Sequence, residues 1–391
     1  MNPQIYLDHA AATPVSPKAL AAMQPYFSEL FYNPSAPYLP AKRVREAYEM
    51  AKDMIAHVIG ATGVDLVITS GATESINLAF TSCRGKVLTL PIEHAAVLEA
   101  AKLHDYDLIK VNRAGLIDLT DFRQKLTPDV ELVSVSLANS ELGTIQPLAE
   151  IAEIIRAERQ SRLRNDNSTP LYFHSDASQA LNLLDINVAR LGVDLLTLNA
   201  AKCGGPKGVG ALYLAHGVKL SPVAVGGGQE RGLRSGTENV PGVIGFATAA
   251  SEAKAHLAGN RKKYQEMAKV LRTEVANLAE SSHFPVPVFL GNPKHQLANF
   301  APVCFPGLDA ERLIYKLEQQ GIYLSTGAAC AANKGSKSHV LAAIGLSDPE
   351  IAGSLRISLG NTNTLEQIKR AALTIREAVE QEYRRLAKAT L

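Results

Sequence analysis

Short apolar runs alternate with helical patterns until about residue 250, and this alternation constrains the fold more than any other feature of the sequence. The segments DLVITSG, KVLTL, ELVSVSLAN, LYFHSD, LLTLNA and GALYLA are each typical of a buried strand. Helical patterns such as ATESINLAF and HAAVLEAAKLH lie between them. Strands that alternate with helices predict an α/β domain with a largely parallel sheet. Because ligands of such sheets bind beyond the carboxyl ends of the strands, the loops that follow them are the places to look for chemistry.

The pattern changes after about residue 250, where amphipathic helical patterns become long. Residues 251–282 read as helical throughout, QLANFAPVCF is a candidate strand, and LDAERLIYKLEQQ and LEQIKRAALTIREAVEQEYRRLAKA are further helices. This part predicts a second, smaller α+β domain. We therefore predict a large domain over residues 14–253 and a small domain made of residues 1–13 and 254–391. The polar stretch 159–169, RQSRLRNDNST, predicts a surface loop.

Charge and cysteine usage exclude several classes of protein. Lys and Arg number 40 against 38 Asp and Glu, which gives a net charge of +2 and argues against a nucleic acid or a membrane as a partner bound by bulk charge. Neither a signal-peptide pattern nor an apolar stretch long enough to span a bilayer is visible. The four cysteines form no CxxC pair, so neither a metal site nor a disulfide framework is predicted, and a reducing cytoplasm fits best.

One of these cysteines, Cys330, lies in an unusual setting. Residues 325–338, STGAACAANKGSKS, contain no bulky aliphatic or aromatic side chain, although apolar helical patterns flank them on both sides. Buried structural cysteines lie among apolar neighbours, whereas reactive cysteines are accessible and lie near cations. We therefore expect an exposed, reactive thiol, with Lys334 and Lys337 favouring its thiolate form.

Two glycine-containing loops are candidate anion sites. In SGATES, Ser70–Ser75, Gly71 permits a tight turn after a strand, and the amides and Thr73 then form a phosphate cradle at a helix N-terminus. The alternative is an ordinary helix cap. The loop Gly226–Asn239 combines glycines with Arg231, Arg234 and Thr237, which suits an anion, although a flexible surface loop would look similar.

Three charged residues beside strands complete the candidates. Asp176 follows a strand and can hold a proton on a ring nitrogen, or can cap a helix. Lys202 follows another strand and can form a Schiff base, whereas Lys207 is its competitor and is expected to be structural. Arg356 points inward from a strand, either toward a ligand's carboxylate or phosphate or into a structural salt bridge. Together these residues suit a pyridoxal-phosphate enzyme that acts on an amino acid.

The order of the motifs carries a resemblance to a known family. The motifs IYLDHAAATP, TSGATESINLA, EHAAVL, NSELGTIQPL, FHSDASQA, KCGGPKGVGALYL, GGGQERGLRSGTENV, STGAAC and RISLG follow one another along nearly the whole chain. In this order the chain resembles cysteine desulfurases of the NifS/IscS type, within the class V aminotransferases. The resemblance implies the fold type I of pyridoxal-phosphate-dependent transferases, with a mostly parallel seven-stranded sheet in the large domain.

The resemblance also implies a role for each matching residue. Pyridoxal phosphate would be held covalently by Lys202, at its ring by Asp176, Gln179 and the stacking His94, and at its phosphate by Ala72, Thr73, Asn199 and, across a homodimer interface, Thr237. The carboxylate of L-cysteine would be bound by Arg356, Asn139 and Ser140. His94 would assist proton transfers, and Cys330 would accept the sulfur as a persulfide while alanine leaves. An iron–sulfur scaffold or a tRNA-thiolation carrier would then take the sulfur.

The chain departs from the family pattern at two places. Ala201 stands where the family usually has His before the lysine, with Asn199 in place of a Ser, and Ser140 stands where it usually has Asn. We expect weaker cofactor and substrate contacts as a result. The alternatives are a selenocysteine lyase or another class V pyridoxal-phosphate enzyme, and a degenerate, non-catalytic homologue that acts as a binding partner.

Overall fold

The computed structural model describes residues 4–278, 284–327 and 337–389 of the 391-residue chain. Its strands are β1 (Ile5–Tyr6), β2 (Leu66–Thr69), β3 (Lys86–Thr89), β4 (Tyr106–Leu108), β5 (Val130–Ser134), β6 (Tyr172–Asp176), β7 (Leu195–Asn199), β8 (Gly210–Leu214), β9 (Val288–Phe289), β10 (Val303–Cys304), β11 (Ile322–Tyr323), β12 (Ser325–Thr326) and β13 (Ser354–Arg356). Its helices are α1 (Pro17–Met23), α2 (Pro25–Ser28), α3 (Leu39–Val58), α4 (Ala72–Phe80), α5 (Ala95–Ala101), α6 (Leu119–Lys125), α7 (Leu148–Arg164), α8 (Val188–Leu191), α9 (Val240–Ala255), α10 (Leu257–Ala276), α11 (Ala310–Gln319), α12 (His339–Ala343), α13 (Asp348–Ala352) and α14 (Leu365–Ala389).

The centre of the molecule is a seven-stranded sheet in the order β2-β8-β7-β6-β5-β3-β4. β8 runs antiparallel to both of its neighbours, and the other strands run in one direction. β2, β3 and β6 to β8 fall within the runs that the sequence predicts as strands, and β5 begins one residue before its predicted run. The predicted α/β fold with a largely parallel sheet is confirmed. Strand β4 was not predicted, because its three residues include a charged residue and carry no long apolar run.

Two smaller sheets belong to the other end of the chain. An antiparallel sheet has the order β12-β13-β10-β9, and β1 pairs in parallel with β11, where Ile5 lies opposite Ile322. One apolar cluster packs against the large sheet, and a second contains residues of β1, α10, α11 and α14. Two smaller clusters also include residues of the large sheet. The N-terminal residues therefore pack with the C-terminal part of the chain. The domain boundaries themselves remain a prediction.

Two expectations about helices need correction. The stretch 159–169 is not a loop throughout, because α7 continues to Arg164. Arg162 is buried on this last turn, where its guanidinium donates to the carbonyls of Thr127, Thr169 and Pro170, so polar residues that seem suited to solvent are held in a helix. The helical pattern that begins at residue 251 spans two helices, since α9 ends at Ala255 and α10 begins at Leu257. Within the described ranges, no helix is long and apolar enough to cross a membrane.

Candidate active site

Polar residues at the ends of five elements of the large sheet line one cavity of about 330 Å³, a size typical of small-molecule sites. Loops after β2, β3, β5, β6 and β7 each contribute, as parallel strands require. Many residues that the sequence singled out line it: Gly71, Ala72, Thr73, His94, Asn139, Ser140, Asp176, Gln179, Asn199, Ala201, Lys202, Lys207 and Arg356. These residues therefore lie together at one edge of the sheet, and their roles remain a prediction.

The predicted anion cradle lies at the N-terminus of α4. Gly71 has φ 149° and ψ −176°, a conformation that favours glycine, and no other group lies within 4 Å of the position that a methyl group would occupy. The first-turn amides of a helix of this length attract an anion. Glu74 lies beside them: its carboxylate accepts from the amide of Ser70 at 2.6 Å and pairs with Nε of Arg234 at 3.0 Å. Burial raises the pKa of Glu74, but these hydrogen bonds outweigh it and leave the pKa lowered.

Lys202 lies in a 3₁₀ turn, Ala200–Lys202, that directly follows β7. Its Nζ donates to the carbonyl oxygen of Ala10 at 2.9 Å and also to that of Ala11. Nε2 of Gln179 donates to the same Ala10 carbonyl at 3.0 Å. The N-terminal segment therefore positions two of the candidate residues, a contact that no local pattern indicates.

Asp176 is the last residue of β6 and is only 9% exposed. Its Oδ1 accepts from the amide of Ser178 at 2.8 Å in a turn, so the alternative of a helix cap is wrong. Its neighbour His174 is structural. Both ring nitrogens are hydrogen-bonded, to Ser134 and Thr197, and burial lowers the pKa of His174 to about 3, which keeps this ring neutral.

His94 precedes α5 and caps it. Its Nδ1 accepts from the amide of Ala96 at 3.1 Å, so the neutral ring carries its proton on Nε2. The side chain is exposed and lines the cavity, where a planar ligand can contact the ring. This cap fixes the tautomer without closing off the ring.

Arg356 lies on β13 and is only 2% exposed. Nη2 pairs with Oδ1 of Asp8 at 2.8 Å, Nη1 donates to the carbonyl of Ser140 at 3.4 Å, and Nε has no hydrogen-bond partner in the described chain. The structural salt bridge therefore exists, yet the guanidinium keeps a buried donor that suits an anion. The side chain of Asn139 bonds only to backbone groups. Its Nδ2 donates to the carbonyl of Ile92, and its Oδ1 accepts from the amides of Glu141 and Leu142, so it stabilises the shape of the loop.

Two buried acids were missed by the sequence reasoning. Glu93 accepts from the amide and the hydroxyl of Ser136, and Glu141 accepts from the hydroxyl of Ser338 at 2.6 Å. Burial raises the pKa of each carboxyl to about 7. Both line a smaller cavity that shares His94 and other walls with the first. Their only signal in the sequence is that each stands directly beside a candidate site residue.

The glycine-rich loop Gly226–Asn239 lies at the surface and is anchored there by one buried side chain. Within it, the carboxylate of Glu230 accepts from the hydroxyl of Tyr48 at 2.6 Å, from Nζ of Lys52 at 3.1 Å and from the amide of Ile68 at 2.8 Å. Thr237 is exposed and does not line the cavity of its own chain.

The thiol that the sequence emphasised cannot be placed in this site. Cys330 and Lys334 lie outside the described residues. Lys337 is described, and its Nζ pairs with Asp348 at 2.5 Å, a partner that the sequence reasoning did not include. The remaining cysteines, Cys83, Cys203 and Cys304, are buried and unpaired. Among the described residues, no cluster of three His, Cys, Asp or Glu could hold a metal ion.

Comparisons with known proteins agree with this arrangement. The family model named Aminotransferase class-V matches residues 5–371. A relative named Cysteine desulfurase IscS 1, from Archaeoglobus fulgidus, is 37% identical over 377 residues, which cover 93% of this chain and 94% of the relative. A solved NifS-like protein has a TM-score of 0.87 at 31% identity and covers 97% of this chain and 100% of its own. A structure named SspA in complex with cysteine has a TM-score of 0.75 at 32% identity and covers 91% and 98%.

Proposed function

This chain belongs to the class V aminotransferase family, and we propose that it is a cysteine desulfurase that depends on pyridoxal phosphate. The family and the fold type predicted from the sequence are confirmed. The observation that carries the function is the convergence of a cradle, a strand-end lysine, a strand-end carboxylate and a buried arginine on one cavity. The relatives named cysteine desulfurase and the SspA complex with cysteine support L-cysteine as the substrate.

The residues present fit pyridoxal phosphate. The open space at Gly71 and the first turn of α4 suit its phosphate, and Lys202 suits its aldehyde. The buried carboxylate of Asp176 would keep the pyridine nitrogen protonated, with Gln179 near the ring hydroxyl. When bound, the cofactor supplies an electron sink for bond changes at the substrate Cα and Cβ.

The remaining steps belong to side chains of this protein. The guanidinium of Arg356 binds the substrate carboxylate and orients Cα toward Lys202, whose amine takes the Cα proton as a general base. His94 would stack on the cofactor ring and move protons through Nε2, since its Nδ1 already accepts from the amide of Ala96. The thiolate of Cys330 forms a bond to the sulfur of the substrate while the Cβ–S bond breaks, so that one thiol and one L-cysteine give one persulfide and one L-alanine. A sulfur-accepting protein, either an iron–sulfur scaffold or a tRNA-thiolation carrier, then takes the terminal sulfur.

A homodimer is part of the proposal. Large apolar side chains remain exposed along α1, α2 and α3 and the connections between them: Leu20, Phe27, Leu30, Phe31, Tyr38, Leu39, Met50 and Met54. Apolar surface of this extent supports a protein interface. Thr237, exposed and unused in its own cavity, would reach the phosphate bound by the partner. The unpaired buried thiols support a reducing compartment such as the cytoplasm.

Two measurements test this proposal: the products released from L-cysteine, and the lysine to which the cofactor is bound. With L-cysteine and a reductant, the purified protein should release alanine and sulfide in equal amounts, and borohydride reduction should fix the cofactor on Lys202. Label on Lys207 would contradict this assignment. Cys330→Ser should keep the cofactor and lose sulfide release. The matched control is Cys203→Ser, because Cys203 is buried and burial raises its pKa to about 12.

The alternatives give different outcomes in the same assay. Turnover of L-selenocysteine without turnover of L-cysteine would favour a selenocysteine lyase. A chain that binds no cofactor and turns over neither amino acid would favour the non-catalytic binding partner.

A further inference from the structure

A carboxylate already lies at the anion cradle at the start of α4. Glu74 lines the cavity at the cradle and has taken the amide of Ser70 as a donor. Arg234 forms an ion pair with this carboxylate. The positive charge of Arg234 therefore balances Glu74 and does not add to the attraction of an anion. A phosphate with close to two negative charges would still need a cation nearby.

The other cations around the cavity are engaged. Arg356 pairs with Asp8, and Lys202 donates to the two carbonyls of Ala10 and Ala11 and is the residue that would bond the cofactor's aldehyde. The side chains that replace the family's usual phosphate contacts bring no positive charge. Ala201 has no polar side-chain atom, and Asn199, whose Oδ1 accepts from the amide of Ala201, has only the neutral Nδ2 amide as a donor.

Lys207 also lines this cavity, at the edge where the cradle lies. It precedes β8, and because β8 is antiparallel to its neighbours, the start of β8 lies where β2 and β7 end. A methyl group on Gly210, the first residue of β8, would lie 2.8 Å from Cα of Gly71. The segment that carries Lys207 is therefore packed against the cradle itself. Within the described chain, Lys207 makes no ion pair or hydrogen bond, and its side chain is exposed.

We propose that Lys207 binds the phosphate group of the cofactor at the Gly71–Thr73 cradle. This replaces the expectation from the sequence that Lys207 is only structural, and it rests on the proposed function. Lysine suits this position because its ammonium is a compact charge on a flexible stem and needs no fixed direction of approach. It also provides the cationic donor that Ala201 does not.

The experiment measures cofactor binding to the apo-protein and does not depend on turnover. Apo-protein is titrated with pyridoxal phosphate and, separately, with pyridoxal, which forms the same bond to Lys202 but has no phosphate. Loss of a hydrogen bond to a charged group should weaken pyridoxal phosphate by roughly 10-fold or more in Lys207→Met, and leave the affinity for pyridoxal unchanged. Lys207→Arg should keep most of the affinity, and Ala201→His should restore much of it in the Lys207→Met background.

Lys219→Met is the matched control, since Lys219 is an exposed lysine in the loop after β8 and does not line the cavity. Its affinity for both probes should equal that of the wild type. Equal binding of pyridoxal phosphate by wild type and Lys207→Met would overturn the inference, as would an equal loss of affinity for both probes. If the wild type binds neither probe, the proposed function itself fails.

Discussion

Arg356 is the residue on which the fold and the reaction make opposing demands. A buried guanidinium needs a counterion for the protein to fold, and Asp8 supplies it at 2.8 Å. The reaction needs the same guanidinium to attract a substrate carboxylate. The guanidinium can serve the fold and the reaction together, because Asp8 binds only Nη2 and Nε has no partner in the described chain. Asp8 is therefore a competitor for the substrate as well as a structural partner.

Arg356→Gln should raise the KM for L-cysteine. The lost charge-assisted contact is worth about 1.5–3 kcal/mol, which corresponds to roughly a 10- to 100-fold increase, while the affinity for pyridoxal phosphate stays within a few-fold. Steady-state kinetics and a cofactor titration check the two parts. Arg385→Gln removes another ion-paired arginine, on α14, and should leave both constants unchanged. An unchanged KM in Arg356→Gln would remove Arg356 from the substrate site.

Glu141 gives the site a pH dependence that can be isolated by one substitution. Arg356, His94 and Ser338 face it, but burial dominates and raises its pKa from 4.5 to about 7. An acid with a raised pKa holds its proton in the folded state after the unfolded chain has lost it, so its contribution to stability falls as pH rises from about 4.5 to 7. The variant Glu141→Gln keeps an acceptor for Ser338 and does not ionise.

We therefore expect the thermal midpoints of the wild type and Glu141→Gln to be close at pH 5 and to diverge toward pH 8, with the variant higher. The relative gain is about 2–3 kcal/mol over that interval, at 1.36 kcal/mol for each pKa unit. His9 and His174, whose lowered pKa values act in the opposite direction, are present in both proteins and cancel. Glu266→Gln, at an exposed glutamate, should show no divergence. Parallel pH curves for Glu141→Gln would show that Glu141 is not protonated in the fold.

At the residue scale, the sequence predicts where charged groups stand but not what holds them. Asp176 and Lys202 were predictable because each follows an apolar strand, and the ends of parallel strands meet. The contacts of Lys202 with Ala10 and of Arg356 with Asp8 depend on an N-terminal segment that packs across the molecule. Such contacts join residues far apart in the chain, and no local spacing encodes them.

At the scale of elements, the strands and helices with strong periodicity were predictable. The direction of a strand within the sheet and the residue at which a helix ends were not. The apolar run of β8 resembles those of β2 and β7, its neighbours in the sheet, so the sequence gives no sign that β8 runs antiparallel to both. The last turn of α7 looked like a loop because the hydrogen bonds of Arg162 come from other segments. The anchor of the glycine-dense loop Gly226–Asn239 was not predictable, because Glu230 bonds to α3 and to the edge strand β2, which lie far away in the sequence.

Glu230→Ala should therefore destabilise the protein strongly. The side chains of Glu230 and Lys52 are only 5% and 8% exposed, and removing one partner of a buried ion pair costs about 3–5 kcal/mol. Adding Lys52→Met, which removes the stranded charge, should recover part of that loss. Thermal unfolding of the wild type, both single variants and the double variant completes a double-mutant cycle, which measures the interaction between the two side chains. Additive losses in the double variant would mean that the two side chains do not act as a pair.

At the scale of the whole molecule, the cavity is lined both by loops of the large sheet and by segments from the two ends of the chain. β13 and the N-terminal segment belong to the second cluster, yet they contribute Arg356 and the carbonyls that hold Lys202. Strands of the large sheet supply the cradle, Asp176 and Lys202 itself. The alternation of strands and helices predicted the second group. The same alternation could not predict that β13 and the N-terminal segment complete the site. That contact depends on how these segments pack against the large sheet.

The assembly leads to the last prediction, which concerns the loop that carries Thr237. Thr237 is exposed and absent from the cavity of its own chain, so we expect its hydroxyl to serve the partner's cofactor. Two mixed dimers separate this arrangement from one within the chain. In the first, a Lys202→Ala chain is paired with a Thr237→Val chain. In the second, a chain with both substitutions is paired with the wild type. Each dimer contains a single Lys202, and borohydride trapping at increasing pyridoxal phosphate reports the affinity of that site.

If Thr237 acts across the interface, Lys202 in the first dimer receives Thr237 from its partner and should bind the cofactor like the wild type. Lys202 in the second dimer receives valine and should bind roughly 10-fold more weakly, because a hydrogen bond to a charged group is lost. The opposite order would place Thr237 at its own chain's site. Light scattering on the wild type should first give the mass of a dimer, twice the 41.8 kDa of the chain. A monomer in solution would exclude any role of Thr237 across an interface.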